Sequence, residues 1–425
     1  MGTPPKTATK AGEMKVFGRA GSTVGSDIRD YLSRTVVAFD WVDLVDADQC
    51  RDMLGLGGFE TLDFPIVEFP DGERVFAPKP QDIAARLGWV TAPRHEEYDL
   101  SIYGGGPAGL SAAVYAASEG LRTILIERFA VGGQAGTTSA IENYMGFPEG
   151  ISGADLAERA RQQAVKFGAE LVMMEEGVKA RFENDRIHVD LANGSQLVAK
   201  SNICATGVEY RRLGIADEER FLGMGLFYGA GVAEAPYCKN EDVFVVGGGN
   251  SAGQAVMHLA DHADKVTMLV RGSSLAETLS EYLITRIEAR PNVEVIYNVE
   301  VAALDGDKIL RRMTLKDLKT EKTRDLDASR LFVCIGGVPN TEWAKDTLIK
   351  RDRAGYLITG QDLLDKGRAP DCWTLDRQPY YLETSVPGSF AVGDVRHDSI
   401  KRVASAVGEG AMAVSFVHRY LAESH

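Results

Sequence analysis

Two glycine turns carry the most legible chemistry in this chain. Gly104-Gly105-Gly106-Pro107-Ala108-Gly109 follows the apolar run YDLSIY and opens the helix-forming run LSAAVYAAS. In that setting each glycine of G-x-G-x-x-G has a mechanical reason. Gly104 makes the tight turn, Gly106 lets a diphosphate approach the backbone, and Gly109 lets the helix pack closely on its strand. The phosphates then face the helix start at Pro107 and Ala108, where free N–H groups and the helix dipole favour anions. Glu127 ends the next strand, TILIE. A carboxylate there accepts from a ribose 2′-hydroxyl and repels a 2′-phosphate, which suits FAD. The second turn, Gly247-Gly248-Gly249-Asn250-Ser251-Ala252, has alanine at the third small position, and its second strand, KVTMLV, runs into Arg271. A guanidinium there can pair with a 2′-phosphate bidentately, so NADPH is favoured over NADH.

These turns need strands and helices to hold them. The chain repeats one strand–turn–helix–strand unit, with first glycines at 104 and 247. Near the end, GSFAVGD reads as a buried strand that stops on Gly393 and Asp394, and KRVASAVGEGAMAVSFVHRYL reads as a long helix. The Asp394 carboxylate can hold a ribityl hydroxyl, and the helix start can stabilise negative charge on a reduced ring. Upstream, residues 14–92 read as βαβαββα, with Ile28, Tyr31 and Leu32 on one helix face and a turn at Pro70-Asp71-Gly72. VTAPRHEE is a polar linker, and MGTPPKTATKAGE, residues 1–13, is expected to be a disordered tail.

The bulk numbers exclude several classes. The chain has 425 residues and a net charge of −14, which disfavours nucleic acid and anionic membrane as partners. No apolar run is long enough for a membrane-spanning helix. The five cysteines, Cys50, Cys204, Cys238, Cys334 and Cys372, contain no C-x-x-C pair. That usage fits a reducing, cytoplasmic compartment. No metal site is assigned.

The segments GGGPAGLSAA, GGQAG, IENYMGFPEGISGADL, ATG, GGGNSAGQA, IGGVPNT and FAVGD occur in that order over about residues 96–425. Together they resemble the low-molecular-weight thioredoxin reductases. The resemblance implies a homodimeric α/β protein with two Rossmann-like, three-layer dinucleotide-binding domains. One is an FAD domain in two pieces, 96–207 and 332–425, and the other is an inserted NAD(P)H domain, 208–331. It places Gly132, Gly133, Gln134, Asn143, Val178, Thr206, Gly207, Gly393, Asp394, Lys401, Arg402 and Val403 with the flavin. The βαβαββα segment in front resembles glutaredoxin and thioredoxin, and Pro65 sits where that fold carries a cis-proline.

Both reactive sites depart from those families. The reductases carry Y-C-x-x-C-D shortly before the second glycine turn. Here the stretch reads Phe227-Tyr228-Gly229-Ala230-Gly231-Val232-Ala233-Glu234, with Gly229 and Val232 at the cysteine positions. Glycine and valine cannot exchange thiols. In the N-terminal segment the corresponding positions fall on Ser22 and Gly25. The expected function is an NAD(P)H-dependent FAD oxidoreductase passing electrons straight from flavin to a small molecule, a quinone or O₂. Phe227, Tyr228, Gly229, Val232 and Glu234 form its candidate catalytic set, with an aromatic ring free to stack on the flavin. Three alternatives are a disulfide reductase using distant cysteines, a ferredoxin-type reductase, and a redox-sensing flavoprotein whose N-terminal domain binds a partner.

Overall fold

The computed structural model describes residues 14–423 except 20–22, 58, 90–91, 139–140, 184, 230–233 and 308. The expected tail, Ser22 and the stretch Ala230-Gly231-Val232-Ala233 therefore lie outside the described residues.

The N-terminal unit runs β1 (Met14–Arg19), α1 (Thr23–Arg34), β2 (Phe39–Leu44), α2 (Ala47–Leu54), β3 (Ile66–Glu68), β4 (Arg74–Phe76) and α3 (Pro80–Arg86). Its sheet has the order β2-β1-β3-β4, with β1 parallel to β2 and antiparallel to β3. The βαβαββα order expected from the sequence is observed, and the Phe64–Pro65 bond is cis. Ile28, Tyr31 and Leu32 are fully buried on one face of α1. That cluster extends outside the unit: it takes in Ala130, with Phe129 and Met174 packed against it.

The next unit supplies β5 (Tyr98–Tyr103), α4 (Pro107–Ser118), β6 (Thr123–Glu127), α5 (Gly153–Lys166), β7 (Glu170–Met173), β8 (Gly177–Glu183), β9 (Arg186–Leu191) and β10 (Gln196–Cys204). The sheet order is β7-β6-β5-β10-β9-β8. All five residues of β6 are buried, as a parallel strand covered on both faces requires.

The chain leaves through β11 (Val208–Tyr210) into β12 (Leu226–Tyr228), β13 (Asp242–Val246), α6 (Asn250–Ala260), β14 (Lys265–Val270), α7 (Glu281–Glu288) and β15 (Val293–Tyr297). A hairpin sheet of β16 (Val299–Gly306), β17 (Leu310–Asp317) and β18 (Thr323–Asp327) follows, then β19 (Leu331–Val333). The parallel order β12-β19-β13-β14-β15 puts β19 between β12 and β13 in this second sheet. Residues 332 and 333 therefore pair within the inserted unit, and the boundary expected at 332 falls one strand too early. The strand LFV is apolar enough for either sheet, so its composition did not decide between them. The return runs through β20 (Gly337–Pro339), which pairs antiparallel with β11. β21 (Ser389–Ala391) then lies parallel to β10, and α8 (Val403–Glu423) packs on α4.

That last packing is close. A Cβ on Gly410 of α8 would stand 2.1 Å from the Ala108 carbonyl oxygen, and Ser111 Oγ donates to the Val407 carbonyl oxygen at 2.7 Å. On the other side of α4, a Cβ on Gly109 would stand 1.9 Å from the Gly104 carbonyl oxygen. Backbone cannot yield like a flexible side-chain end. Gly109→Ala is therefore expected to lower unfolding free energy by about 1–3 kcal/mol. A denaturant melt checks this, and an unchanged midpoint would contradict the packing.

Candidate functional site

Gly104 leaves β5 with φ +104°, and a Cβ there would stand 2.3 Å from the Ala205 carbonyl oxygen. Only glycine fits that turn. Gly106, Pro107 and Ala108 then border a cleft of about 590 Å³. A Cβ on Gly106 would meet nothing closer than Gly133 Cα at 4.0 Å, so the face over the α4 start is open to a diphosphate. Gly109 lies behind the cleft as a packing residue. Glu127 is buried at its side. Its Oε2 accepts from the Gly105 N–H at 2.7 Å and its Oε1 from the Phe129 N–H at 2.8 Å. Burial pushes this carboxyl's pKa up, and the two N–H groups hold it back. A carboxylate has acceptor capacity left for a ribose hydroxyl.

Past Glu127 the cleft continues into a pocket of about 80 Å³ bordered by Gly104, Thr206, Gly177 and Lys179. Val178 sits between two of these, but its side chain is 52% exposed. A register shift in β8 falls at this position, between Gly177 and Lys179, and Ala180 borders the pocket as well.

The same cleft is closed by residues far apart in sequence. Gly133, Gln134, Asn143, Thr206 and Gly207 border it, and so do Gly393, Asp394, Lys401, Arg402 and Val403. Gly132 does not. Its N–H donates to the Gly105 carbonyl oxygen at 2.7 Å and fixes that loop to the phosphate turn. Burial pushes the Asp394 carboxyl up, and Lys401 opposes that. The Gly393 N–H donates to Glu409 Oε2 at 2.7 Å, and Glu409 is paired with Arg396 at 2.6 Å in a buried ion pair. Gln134 Oε1 is buried with no partner. An orphaned acceptor beside an open phosphate turn and a ring of polar groups fits a dinucleotide such as FAD.

The inserted unit faces this cleft as well. Asn250 and Ser251, at the start of α6, border it. Gly247 (φ +143°) and Gly249, the residue before α6, shape that turn, and Ala252 is buried beneath it. The Asn250 side chain also accepts from the Ser280 N–H at 2.7 Å. Arg271 follows β14 and is exposed, where a guanidinium is accessible to a 2′-phosphate.

The candidate catalytic residues of 227–234 divide. Gly229 borders the flavin cleft. Phe227 and Tyr228 do not, and neither is free to stack on the ring. Phe227 is stacked on Phe332 at 5.2 Å in the inserted unit. Tyr228 donates to Glu218 at 3.1 Å, accepts from the Leu213 N–H at 2.8 Å and lies under Arg212. Strand β12 is paired into the second sheet, so its aromatics pack there. Both rings instead border an adjoining cavity of about 830 Å³, together with Glu234. Val232 lies outside the described residues. Several cleft residues escaped the sequence reading: Arg34, Thr137, Tyr210, Tyr282 and Cys334. Tyr210 comes directly after the Thr206-Gly207 crossing, a usable signal. Arg34 comes from another unit and had none. The Cys334 thiol donates to the Gly229 carbonyl oxygen at 3.3 Å, and burial pushes its pKa up to about 12. Among the described residues no cluster of three or more metal-ligating side chains occurs.

Comparison with known proteins matches residues 98–410 to a pyridine nucleotide-disulphide oxidoreductase pattern. The chain is 36% identical over 325 residues to a thioredoxin reductase of Treponema pallidum (strain Nichols), covering 76% of this chain and 97% of that one. It is 32% identical over 348 residues to an NADH dehydrogenase of Ferdinandcohnia aciditolerans, covering 80% of this chain and 62% of that protein. The crystal structure of Lactococcus lactis thioredoxin reductase in its FR conformation superposes with a TM-score of 0.68 at 29% identity, covering 77% of this chain and 99% of that one.

Glu234 generates a pH prediction. Burial and the nearby Asp30 push its carboxyl up to about 7. The folded protein then holds a proton there that the unfolded chain has released. Stability therefore falls as pH rises from the usual glutamate range to about 7. Glu234→Gln should shrink the loss of unfolding free energy between about pH 5 and 8 by about 1–3 kcal/mol. Denaturant melts at both pH values measure it, and an identical pH dependence in the variant would refute it.

Proposed function

The chain belongs to the pyridine nucleotide-disulphide oxidoreductase family, and from that premise we propose that its flavin passes electrons directly to a small acceptor without a thiol relay. The protein is an NAD(P)H-dependent flavin oxidoreductase that uses FAD. When bound, FAD would supply the redox chemistry, as acceptor of hydride from a nicotinamide and donor of two electrons to the final acceptor. The chain's part is to hold both dinucleotides on one cleft. Gly104, Gly106 and the start of α4 receive the FAD diphosphate, Glu127 the ribose, and Asp394 with Lys401 the far end of the cofactor. Asn250 and Ser251 bring the second dinucleotide to the same opening.

The observation that carries the reading is Gly229. It has φ +112°, and a Cβ there would stand 2.8 Å from the Tyr210 hydroxyl. A cysteine at this cleft position needs a different backbone. Cys334 and Cys238 do not replace it. The Cys334 and Cys238 thiols are both pushed up to about 12 by burial, and a protonated thiol is a poor nucleophile.

The rest of the architecture follows as part of the same proposal. Residues 96–207 together with the chain after Val333 form the FAD domain, and the residues between form the NAD(P)H domain. The strand order supports reading residues 14–92 as a thioredoxin-like domain without its C-x-x-C. A homodimer is the expected assembly. Resemblance to an NADH dehydrogenase supports some use of NADH, whereas exposed Arg271 supports NADPH.

Two experiments test this. Under anaerobic conditions NADPH should bleach the flavin band at about 450 nm, and Cys238→Ser, Cys334→Ser and Cys372→Ser should each leave NADPH oxidation within about two-fold. Abolished turnover in any of them would restore the disulfide reading. Arg271→Ala should raise KM for NADPH about ten-fold and leave KM for NADH nearly unchanged, in steady-state assays with either nucleotide. Equal effects on both would remove Arg271 from the 2′-phosphate site.

A further inference from the structure

The flavin cleft takes one side chain from outside its own unit. Arg34 ends α1, and α1 is seated by the fully buried Tyr31, whose ring meets Phe129 edge-on at 5.3 Å. From there the Arg34 side chain reaches into the cleft, and its Nη2 donates to the Gly133 carbonyl oxygen at 3.2 Å. Gly133 lies against the phosphate turn: a Cβ on it would stand 3.2 Å from Gly106 Cα.

The guanidinium is incompletely partnered. It carries five N–H donors in a planar fork. Asp30 Oδ2 is 3.6 Å from Nη1, too far for a short charge-assisted bond, and that carboxylate side chain is 42% exposed. The Nε–H is buried with no partner, like Gln134 Oε1 in the same cleft. A buried donor left unmet costs stability unless an acceptor reaches it. The charge also acts across the cleft, since Arg34 favours ionisation of both Glu127 and Tyr210.

We propose that Arg34 is an FAD-binding residue supplied by the N-terminal unit, its guanidinium pairing with the diphosphate held over Gly104–Gly109. The α4 start presents N–H groups to one side of that dianion, and the guanidinium fork, which suits phosphate oxygens, meets it from the other. The N-terminal unit is then a wall of the flavin site rather than a tethered module. The inference rests on the FAD site and is independent of the electron acceptor.

The test uses the full chain stripped of flavin and titrated with FAD, following flavin fluorescence, for wild type, Arg34→Met, Arg34→Lys and Asp30→Asn. Arg34→Met keeps the stem and removes the charge. Its Kd for FAD should rise about ten-fold. Arg34→Lys, with charge but no fork, should weaken binding about two- to five-fold. Asp30→Asn, which frees the guanidinium, should bind at least as tightly as wild type. Flavin-free Arg34→Met should melt with the flavin-free wild type, while its FAD-induced rise in Tm shrinks. Unchanged FAD affinity in Arg34→Met overturns the proposal. So does an equal loss in Arg34→Met and Asp30→Asn, or a fall in the flavin-free Tm as large as that with FAD, either of which marks a brace between units. If Arg34→Met does not fold, Arg34→Lys binding no more weakly than Asp30→Asn overturns it. Wild-type apoprotein that does not take up FAD would instead remove the FAD site itself.

Discussion

The site depends on backbone approaching backbone at distances that exclude a side chain. Gly104 lies against Ala205, Gly109 against Gly104, and Gly133 against Gly106. Each contact brings a different segment to one point. β5 delivers the turn, β10 leads to Ala205, α4 starts on the far side, and the loop after β6 closes the top. A methyl group at Gly104 or Gly109 would separate two segments that must meet. Protein interiors transmit such displacements because they are close-packed. The cleft is therefore set by the absence of side chains at a few positions, and the polar groups around it are placed as a consequence.

The same logic acts at Gly229, with the opposite result for chemistry. Its positive φ and the Tyr210 hydroxyl fill the position where a side chain would face the cleft. Tyr210 is held there by a 2.8 Å hydrogen bond between its hydroxyl and Thr137. Thr137 belongs to the loop after β6 and Tyr210 to the crossing strand, so the bond ties the flavin loop to the crossing. At this point of the cleft the chain places a tyrosine hydroxyl against a glycine. Burial also pushes the Tyr210 phenol up to about 12, so it remains a neutral hydrogen-bonding group at physiological pH.

Much of this was legible in the sequence because the relevant signals are local. Both glycine turns, Glu127, Asp394 and the last helix were expected from short runs, and Gly104, Gly106, Glu127, Asn250, Ser251, Asp394 and the start of the last helix border one cleft. The failures share one cause. Phe227 and Tyr228 looked free because their neighbours are small, yet β12 pairs with β19, about a hundred residues later, and that pairing turns both rings into the inserted unit. The boundary at 332 failed through the same strand. Arg34 could not be seen at all. Its role depends on where α1 docks, and docking is a property of the Tyr31–Phe129 contact rather than of any motif.

That docking also bears on how the inserted unit sits. Three exposed or partly exposed contacts join it to its surroundings. Arg286 of α7 pairs with Glu142, Arg128 pairs with Glu209 on the crossing strand, and Arg29 of α1 lies 4.3 Å over the Tyr237 ring. Exposed ion pairs contribute about 0–1 kcal/mol each and an exposed cation–π contact about 0.5–1 kcal/mol. Together they amount to about 0.5–3 kcal/mol, a preference of roughly two- to a hundred-fold between two orientations. This is enough to populate one arrangement and too little to make it rigid. A dithiol relay would need the inserted unit to move, because relay and nicotinamide would compete for one flavin face. Direct transfer to a small acceptor has no such requirement. Both dinucleotide turns already open on the same cleft in the arrangement these contacts favour, so a modest bias is all the proposed chemistry needs from them.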